Sequence, residues 1–447
     1  MGKYFGTDGF RGEANVTLNV EHAYKVGRYL GWYFGREHKA RVVIGKDTRR
    51  SSYMFEYALV AGLTASGADA YLLHVTTTPS VSYVVRTEEF DCGIMISASH
   101  NPFYDNGIKL INRAGMKMEA EVENKIEEYI DGITPEIPFA VRENIGRTVD
   151  FAAGRNRYIG YLISIATRSF KDKTVALDCS NGSASAIAKN VFDALGAKTL
   201  VINNEPDGTN INANCGSTHM DELKARVVYE NAAIGIAFDG DADRMLAVDE
   251  KGELVDGDQI MAICGTYMKQ KGTLKKNTIV VTVMTNLGFS LMGEREGIHV
   301  EKTKVGDRYV LENMRKNGYN IGGEQSGHVI FLDDNTTGDG LLSALHLLEV
   351  MVNTGKPLSE LAEIMEVLPQ ALVNAKVPNH KKEKFMEYQE IADAVADVEK
   401  KFKGEGRVLI RPSGTEPLVR VMIEGKDQKV IDEEARKLAE LITKIML

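Results

Sequence analysis

Short apolar runs rich in β-branched residues alternate with longer segments of helical periodicity along most of the chain. Runs of the first kind predict buried strands, and segments of the second kind predict amphipathic helices. Strand-like runs occur at residues 42–44, 71–73, 93–96, 174–177, 200–202, 278–283 and 298–303, and helix-like segments lie near 51–66, 185–195, 221–231, 259–269 and 306–316. This alternation with short connections predicts an α/β fold with mixed or parallel sheets covered by helices.

The pattern changes in the last part of the chain, after Pro369. A charged, helix-like stretch at 382–402 precedes two strand-like runs at 407–410 and 418–423, and an amphipathic helix ends the sequence. This order predicts a small α+β domain. Together with the three earlier α/β units it predicts four domains, with boundaries after Asp150, Val255 and Leu368, at residues 1–150, 151–255, 256–368 and 369–447.

Composition and charge narrow the classes of function. The 447 residues, 43% hydrophobic and 26% charged, are typical of a globular protein of several domains. A net charge of −9 argues against general nucleic-acid binding, because phosphate backbones require a basic surface, but it permits a small phosphorylated ligand. The four cysteines form no C-x-x-C pair, which argues against a zinc site or a disulfide framework. With no apolar run near the length of a membrane span and no signal segment, we expect a cytoplasmic protein.

The strand-like run at 92–96 ends in Ser97, Ala98, Ser99, His100, Asn101 and Pro102. This pattern predicts a buried strand that delivers the Ser99 hydroxyl to a tight polar turn, where a metal or a base could make it a nucleophile. His100 and Asn101 could orient the turn or bind phosphate oxygens. An ordinary turn at a strand end is the alternative. Residues 105–109 predict a second tight turn that ends in Lys109, a cation or proton-transfer group.

Three acidic residues, Asp239, Asp241 and Asp243, follow a strand-like run at alternate positions. Alternate residues of an extended segment share one side, so we expect the carboxylates to converge on a hard cation such as Mg²⁺. An EF-hand loop is disfavoured, because Arg244 occupies the position where the sharp turn needs glycine and the flanks resemble strands. A solvated acidic loop without a metal is the remaining alternative.

Two further loops combine glycine with polar side chains. In residues 322–328, Glu324, Ser326 and His328 alternate, so all three could face one pocket and bind sugar hydroxyls, phosphate or a proton; the alternative is a glycine-rich hairpin. Residues 411–417 follow a strand and offer hydroxyls, backbone N–H groups and a nearby cation for a phosphate dianion, or form an ordinary β-turn.

The remaining two loops are weak signals when taken alone. In residues 5–12, Arg11 could reach a phosphate, although a solvated loop is the favoured interpretation. Residues 304–308 open a predicted helix, and helix N-termini favour anions. All of these segments lie at strand ends, where α/β domains place their ligands, so one site built from all four domains is the simplest account.

Together these segments closely resemble the α-D-phosphohexomutase superfamily over essentially the whole chain. Residues 323–328, Gly-Glu-Gln-Ser-Gly-His, resemble its glucosamine-type members, since relatives that act on glucose or mannose phosphates typically carry methionine in place of Gln325. The resemblance implies three similar α/β domains with mixed sheets and a smaller C-terminal α+β domain around a central cleft. It implies that Ser99 carries a phosphoryl group and that Ser99, Asp239, Asp241 and Asp243 hold one Mg²⁺ per subunit.

The resemblance also implies a reaction. Phosphorylated Ser99 would convert glucosamine 6-phosphate into glucosamine 1-phosphate through a sugar 1,6-bisphosphate, feeding UDP-N-acetylglucosamine synthesis and cell-wall precursors. His100, Arg11 and Arg244 would assist the transfer, and either Lys109 or His328 would move the proton. Glu324 and Ser326 would bind the sugar, and Gly306 and Asp307 would also contact the substrate. Arg411, Ser413, Gly414, Thr415 and Arg420 would hold the phosphate that does not react.

Three alternatives stay open at this point. A related mutase could act on glucose or mannose phosphates, a non-catalytic protein of the same fold could bind phosphosugars, or a metal-dependent phosphatase could release inorganic phosphate. We expect a small phosphosugar as substrate, no nucleic acid or membrane partner, and, by resemblance alone, a homodimer with a mobile last domain.

Overall fold

The computed structural model of the chain describes residues 2–6, 8–402, 404, 406–413 and 417–447. Contacts divide the chain into two compact units. The first unit consists of Met1–Met284 and Ile298–Ile364, and the second of Thr285–Gly297 and Met365–Leu447.

The first sheet of the first unit has seven strands and is mixed. Its region contains β1 (Phe5–Gly6), β2 (Gly9–Glu13), α1 (Val20–Phe34), β3 (Arg41–Lys46), α2 (Arg50–Ala65), β4 (Asp69–Val75), α3 (Thr78–Thr87), β5 (Cys92–Ile96), β6 (Asp105–Asn112), α4 (Ala120–Ile130) and β7 (Thr148–Asp150). The strand order is β1-β2-β6-β5-β3-β4-β7. Strands β5, β3, β4 and β7 run parallel, whereas β6, β2 and β1 add antiparallel neighbours.

Two smaller sheets complete the first unit. The elements are α5 (Ala152–Ile165), β8 (Thr174–Asp178), α6 (Ala188–Ala194), β9 (Lys198–Ile202), α7 (Asp221–Tyr229), β10 (Ile234–Phe238), β11 (Met245–Val248), β12 (Leu254–Val255), α8 (Gly257–Gln270), β13 (Thr278–Thr282), α9 (Leu287–Glu296, part of the second unit), β14 (His299–Thr303), α10 (Asp307–Asn317), β15 (Ile321–Gly323), β16 (Val329–Phe331), α11 (Gly340–Thr354) and α12 (Leu358–Ala362). The orders are β12-β11-β10-β8-β9 and β14-β13-β15-β16, and both sheets are mixed, as expected.

The second unit is built on a three-stranded antiparallel sheet. Its elements beside α9 are β17 (Gln370–Lys376), α13 (Gln389–Lys401), β18 (Gly406–Pro412), β19 (Leu418–Gly425) and α14 (Gln428–Met446), and the strand order is β17-β19-β18. Helix α14 buries residues at a spacing of three or four, Ile431, Ala435, Leu438, Ala439, Ile442 and Met446, against this sheet's core. Within this unit Asn286 caps α9 and bonds both the N–H and the C=O of Leu368.

The α/β class with three mixed sheets and a smaller C-terminal unit is confirmed. The predicted boundaries after Asp150, Val255 and Leu368 fall between the four sheets and stay a prediction. No helix in the described part of the chain has the length and apolar character needed to cross a membrane.

Two local predictions near the N-terminal half are wrong. Residues 105–109 form part of strand β6 and not a turn, because Asn106 bonds Ser51 and Ser52, while the missing side chain of Gly107 admits the Ser97 carbonyl. The segment 5–12 is not a solvated loop. Its residues 5–6 and 9–12 belong to the antiparallel strands β1 and β2. Strand β2 pairs with β6, and Phe5 and Phe10 are buried.

Candidate active site

Strand β5 delivers Ser99 to a tight turn, as the sequence predicts. Every residue of β5 is buried, and Ser99 itself is 1% exposed with a φ of 54°. Such a left-handed conformation is uncommon for a residue other than glycine and persists only where surrounding contacts enforce it. The Ser99 N–H donates to the Ser97 Oγ at 3.0 Å, and the Ser99 Oγ donates to Asp239 Oδ2 at 2.6 Å. The hydroxyl is therefore fixed against a carboxylate.

Two side chains that the sequence did not single out hold this turn. The Asn212 Nδ2 donates to the carbonyls of Ser99 and Asn101 at 2.9 and 3.0 Å, and the Arg49 Nη2 donates to the same two carbonyls at 3.2 and 2.6 Å. Arg49 is fully buried and forms an ion pair with Asp47, which is equally buried. Asp47 and Arg49 lie in a stretch whose polar character indicates only a helix start, so their link to Ser99 is not visible in the sequence.

Replacing Arg49 with methionine should destabilise the first unit by about 3–5 kcal/mol, because it leaves the buried Asp47 carboxylate without its cation. A urea titration of the variant would measure the loss, and it should also lower activity since the Ser99 turn loses two donors. The matched control is Arg50→Met, at the exposed neighbouring arginine. Equal stability of the two variants would contradict the structural role given to Arg49.

The carboxylates of Asp239, Asp241 and Asp243 converge, and one oxygen of each lies within 4.8 Å of the others. They do so from a turn after β10 and not from an extended segment, with Ala242 at a φ of 55°, so the reason given for convergence is wrong although the convergence is confirmed. The turn packs tightly on Ser99, since a Cβ on Gly240 would lie 2.5 Å from the Ser99 carbonyl oxygen.

This cluster fits a metal site. The Oδ1 atoms of Asp241 and Asp243 are buried and have no hydrogen-bond partner among the described residues. Buried carboxylate oxygens without a donor are costly, and a hard divalent cation is the group that would satisfy them. Burial raises the pKa of Asp239 well above its usual range, and the charges of Asp243 and Asp241 raise it further. A cation bound among the three would relieve this repulsion.

Lys109 lies beside the cluster on strand β6. Its Nζ is 2.6 Å from Asp241 Oδ2 and 3.3 Å from Asp243 Oδ2. Burial opposes the charge on Lys109, but Asp241, Asp243 and Asp8 together raise its pKa above the usual value, so the side chain is protonated at neutral pH. Burial likewise opposes the charge on Asp243, yet Lys109 and His328 hold its pKa well below the usual range.

Arg11 and Arg244 flank the serine turn. Arg11 pairs with Asp8 and donates to Asn101 Oδ1 at 3.4 Å. The Arg244 Nη1 lies 3.1 Å from His100 Nδ1, and burial followed by the charges of Arg244 and Arg11 lowers the pKa of His100. His100 is therefore a neutral ring beside Ser99, and the guanidinium groups of Arg11 and Arg244 lie close to the same turn.

The segment 322–328 forms the hairpin between β15 and β16, so the simpler alternative describes its local structure. His328 is buried, with Nδ1 3.8 Å from Asp243 Oδ1 and Nε2 3.6 Å from Asp307 Oδ2. Glu324 Oε1 accepts the N–H of Gly306 at 3.1 Å. Ser326 is exposed in the turn, whereas His328 is buried. That all three alternating side chains face one pocket stays a prediction.

Gln325, the residue that carries the resemblance to glucosamine-type members, forms hydrogen bonds to other residues of the chain. Its Nε2 donates to Asp256 Oδ2 at 3.0 Å, and its carbonyl accepts the N–H of Gly257 at 3.0 Å. Asp256 is the N-cap of α8. Gln325 thus anchors the hairpin to a helix start and fixes the position of Glu324.

A cavity of about 220 Å³ in the first unit is bordered by the catalytic candidates Lys109, Asp243 and His328. Two residues on its wall were missed by sequence reasoning: Asp8 and Lys117. The Lys117 Nζ is 2.8 Å from Asp307 Oδ1 and 3.5 Å from Asp8 Oδ1. A single lysine after a strand carries no sequence signal for such a position, because the contact with Asp307 spans 190 residues.

In the second unit, Arg411 on β18 and Arg420 on β19 lie directly opposite each other. Like charges in this arrangement destabilise a sheet unless an anion offsets them. Burial and the charge of Arg420 lower the pKa of Arg411. Ser413 is buried, and its carbonyl accepts from Lys382 Nζ. Gly414 and Thr415 lie outside the described residues. The arginine pair provides the local cations expected of a phosphate site.

Comparisons with known proteins agree with this architecture. Four domain profiles described as phosphoglucomutase/phosphomannomutase match the chain: alpha/beta/alpha domains I, II and III at residues 2–136, 156–252 and 256–368, and the C-terminal domain at residues 372–441. The chain belongs to the phosphoglucomutase/phosphomannomutase family. This assignment rests on matches in all four sheets' regions and not on any single motif.

Relatives and solved structures refine the assignment. The chain is 61% identical to the phosphoglucosamine mutase of Lachnoclostridium phytofermentans over 97% of both chains, and 51% identical to that of Clostridioides difficile over 99% of both. A Burkholderia thailandensis phosphoglucomutase/phosphomannomutase family protein has a TM-score of 0.81 at 21% identity, covering 99% of this chain and 98% of that one. An Aspergillus fumigatus N-acetylphosphoglucosamine mutase, solved with GlcNAc-6P and magnesium, has a TM-score of 0.68 at 17% identity, covering 100% and 96%. These two structures support the fold alone.

Proposed function

We propose that the protein interconverts glucosamine 6-phosphate and glucosamine 1-phosphate, as phosphoglucosamine mutases do. The observation that carries the proposal is the Ser99 hydroxyl, held 2.6 Å from Asp239 at the edge of a buried carboxylate cluster. A serine so placed suits covalent phosphoryl transfer, in which one difficult exchange becomes two easier ones. The identity of 51–61% with phosphoglucosamine mutases over nearly the full length supports the choice of sugar.

In the proposed reaction, phosphorylated Ser99 donates its phosphoryl group to the C1 hydroxyl of glucosamine 6-phosphate. The bond between phosphorus and the Ser99 Oγ breaks, a bond from phosphorus to O1 forms, and the hydroxyl proton leaves to a protein base. The resulting 1,6-bisphosphate turns around, the bond between the 6-phosphorus and O6 breaks as a bond from phosphorus to the Ser99 Oγ forms, and O6 takes a proton from a protein acid. The product is glucosamine 1-phosphate, and Ser99 is again phosphorylated.

We propose that Asp239, Asp241 and Asp243, with the Ser99 phosphate, would hold one Mg²⁺. When bound, this ion would offset negative charge on the transferring group. Arg11 and Arg244 add donors on the other side, next to the neutral His100. Donors fixed in a buried site stabilise charge that develops in transfer without reorganising.

Two residues remain candidates for the proton. Lys109 carries a proton at neutral pH, because three carboxylates stabilise its charge, and it is one candidate for the group that gives a proton to the leaving oxygen. His328 lies between Asp243 and Asp307, and its Nε2 accepts the N–H of Gly338 at 3.2 Å. Accepting that bond favours a neutral ring. Burial lowers the pKa of His328, but the hydrogen bond and the charge of Asp243 raise it more, so the net shift of the pKa is upward.

We propose that Glu324 and Ser326 bind sugar hydroxyls, with the Gly306–Asp307 backbone placed by Glu324. The phosphate that does not react would be held by Arg411, Ser413, Gly414, Thr415 and Arg420. Since either phosphate of the bisphosphate must occupy this site, it should recognise a dianion without reading the sugar. By the same proposal the protein is a cytoplasmic homodimer that supplies UDP-N-acetylglucosamine synthesis.

Replacing Arg411 with alanine should raise KM for glucosamine 6-phosphate about 10-fold to 100-fold with a smaller change in kcat, because charge-assisted bonds to the dianion are lost. Steady-state kinetics at saturating magnesium would measure both constants. Arg436→Ala, at an exposed arginine of α14, is the matched control. An unchanged KM would remove Arg411 from the phosphate site.

The substrate choice is tested by kcat/KM for glucosamine, glucose and mannose phosphates side by side, with magnesium and a trace of the matching bisphosphate. The proposal requires a large preference for the glucosamine substrate. Equal or faster turnover of glucose or mannose phosphates would keep the mechanism and assign the protein to another phosphohexomutase.

A further inference from the structure

We propose that the Asp307 carboxylate binds the C2 ammonium group of glucosamine 6-phosphate and so distinguishes this amino sugar from glucose 6-phosphate. The inference rests on the proposed function and names the residue behind its sugar preference. An amino sugar differs from glucose by one cation, and a buried cation requires a carboxylate partner. The site must therefore offer such a carboxylate beside the reacting centre.

Asp307 is placed for this role. It opens helix α10 and borders the same cavity as Asp243, Lys109 and His328. One of its oxygens already binds an ammonium group, the Lys117 Nζ at 2.8 Å, while the other lies 3.6 Å from His328 Nε2. Its side chain is 20% exposed, so a ligand in the cavity can reach it.

The other aspartates near the serine are more heavily engaged. Asp8 is surrounded by three cations, since Arg11, Lys109 and Lys117 all lie within ion-pair distance of it. Asp241 accepts from Lys109 and from the Thr78 hydroxyl. With Asp239 bonded to Ser99 and the cluster assigned to a metal, Asp307 is the aspartate best able to accept a second ammonium group.

Lys117 can accommodate this substrate. Its Nζ lies 3.5 Å from Asp8 Oδ1 in addition to its contact with Asp307. When the substrate ammonium approaches Asp307, Lys117 can move toward Asp8 and keep a carboxylate partner. The network then gains one cation without leaving a buried charge unpaired, which limits the cost of binding.

The proposal depends on the direction in which the sugar binds. C2 is bonded to C1, so the ammonium group lies beside the reacting centre only when the C1 hydroxyl faces Ser99. That orientation belongs to glucosamine 6-phosphate. In glucosamine 1-phosphate the C6 hydroxyl faces Ser99, and the ammonium group points elsewhere. Asp307 should thus recognise one of the two substrates and ignore the other.

The test is the affinity of Asp307→Asn and of its parent protein, both carrying Ser99→Ala so that no sugar is converted, for three ligands, glucosamine 6-phosphate, glucose 6-phosphate and glucosamine 1-phosphate, by calorimetry with magnesium present. We expect the variant to bind glucosamine 6-phosphate at least about 10-fold more weakly, as for loss of a charge-assisted bond. Its affinity for the other two ligands should stay nearly the same. Equal weakening for all three ligands, or no weakening for any, would overturn the proposal.

Lys117→Met provides the matched second variant, since it breaks the same ion pair from the other side. It leaves Asp307 free for the substrate, so the preference for glucosamine 6-phosphate over glucose 6-phosphate should be kept or increased. A fall in preference equal to that of Asp307→Asn would assign discrimination to the ion pair and contradict the proposal. Because affinities are measured without turnover, a failure of the proposed reaction would be recognised separately, as an absence of product in the kinetic assay.

Discussion

Replacing Ser99 with alanine should lower kcat at least about 10⁴-fold while leaving the affinity for sugar phosphates nearly unchanged. In the proposed reaction this hydroxyl accepts and returns the phosphoryl group, and the other hydroxyl of the turn, the Ser97 Oγ, is buried and accepts the Ser99 N–H. The side-chain donors that hold the turn, from Asn212 and Arg49, contact backbone carbonyls and are unaffected by the substitution. Steady-state kinetics and calorimetry on one preparation would measure both quantities.

Ser185→Ala is a suitable control, because its hydroxyl is buried without a hydrogen-bond partner in the described structure and lies in the region of the second sheet. It should leave kcat within about threefold of the unmodified protein, as expected for a change away from the reacting groups. If Ser99→Ala kept substantial mutase activity, Ser99 would not be the phosphoryl carrier, whatever its geometry.

The second large effect concerns the metal site. Asp239→Asn should weaken Mg²⁺ binding by about 100-fold or more, since even outer partners of metal ligands typically contribute 10-fold to 100-fold. The metal-free protein should not be destabilised, because the substitution removes a buried carboxyl group whose ionisation is opposed by burial and by the charges of Asp243 and Asp241. If Asp239→Asn loses magnesium binding and keeps its stability, Asp239 acts as a metal ligand and not as a structural residue.

Thermal unfolding with and without magnesium would measure this prediction. The unmodified protein should unfold at a higher temperature when magnesium is added, whereas Asp239→Asn should show almost no such increase. Asp207→Asn, in an exposed loop, is the control and should respond to magnesium as the unmodified protein does. An Asp239→Asn variant that bound magnesium normally would leave the cluster without the role given to it.

The sequence could predict the residues whose chemistry depends on a local pattern. Ser99 follows a buried strand, which fixes its position. The three aspartates are close in sequence, so a short stretch of backbone brings their carboxylates together. The turn at 239–244 differs from the extended segment expected, but a short loop brings neighbouring carboxylates together in either conformation. Arg411 and Arg420 are similar, because strands β18 and β19 are neighbours in the sequence and pair antiparallel, which places the two residues opposite each other.

The residues that could not be predicted are those placed by distant contacts. Arg49 and Asn212 act on Ser99 from 50 and 113 residues away, and their own neighbourhoods show only turn and cap signals. The Asn-Gly pair at 106–107 favours a turn locally, yet its pairing with β2, continued by the pairing of β5 from Ile108 onward, makes it part of strand β6. Tertiary contacts overrode the local preference in each case.

The most direct test of the account is a single-turnover experiment with protein carrying a radiolabelled phosphate on Ser99. The labelled protein is mixed with glucosamine 6-phosphate and magnesium, and the products are separated. The account predicts that the label moves to glucosamine 1,6-bisphosphate and glucosamine 1-phosphate at the rate of turnover, and that Ser99→Ala takes up no label. Release of the label as inorganic phosphate, or its retention on the protein while the sugar is converted, would contradict it.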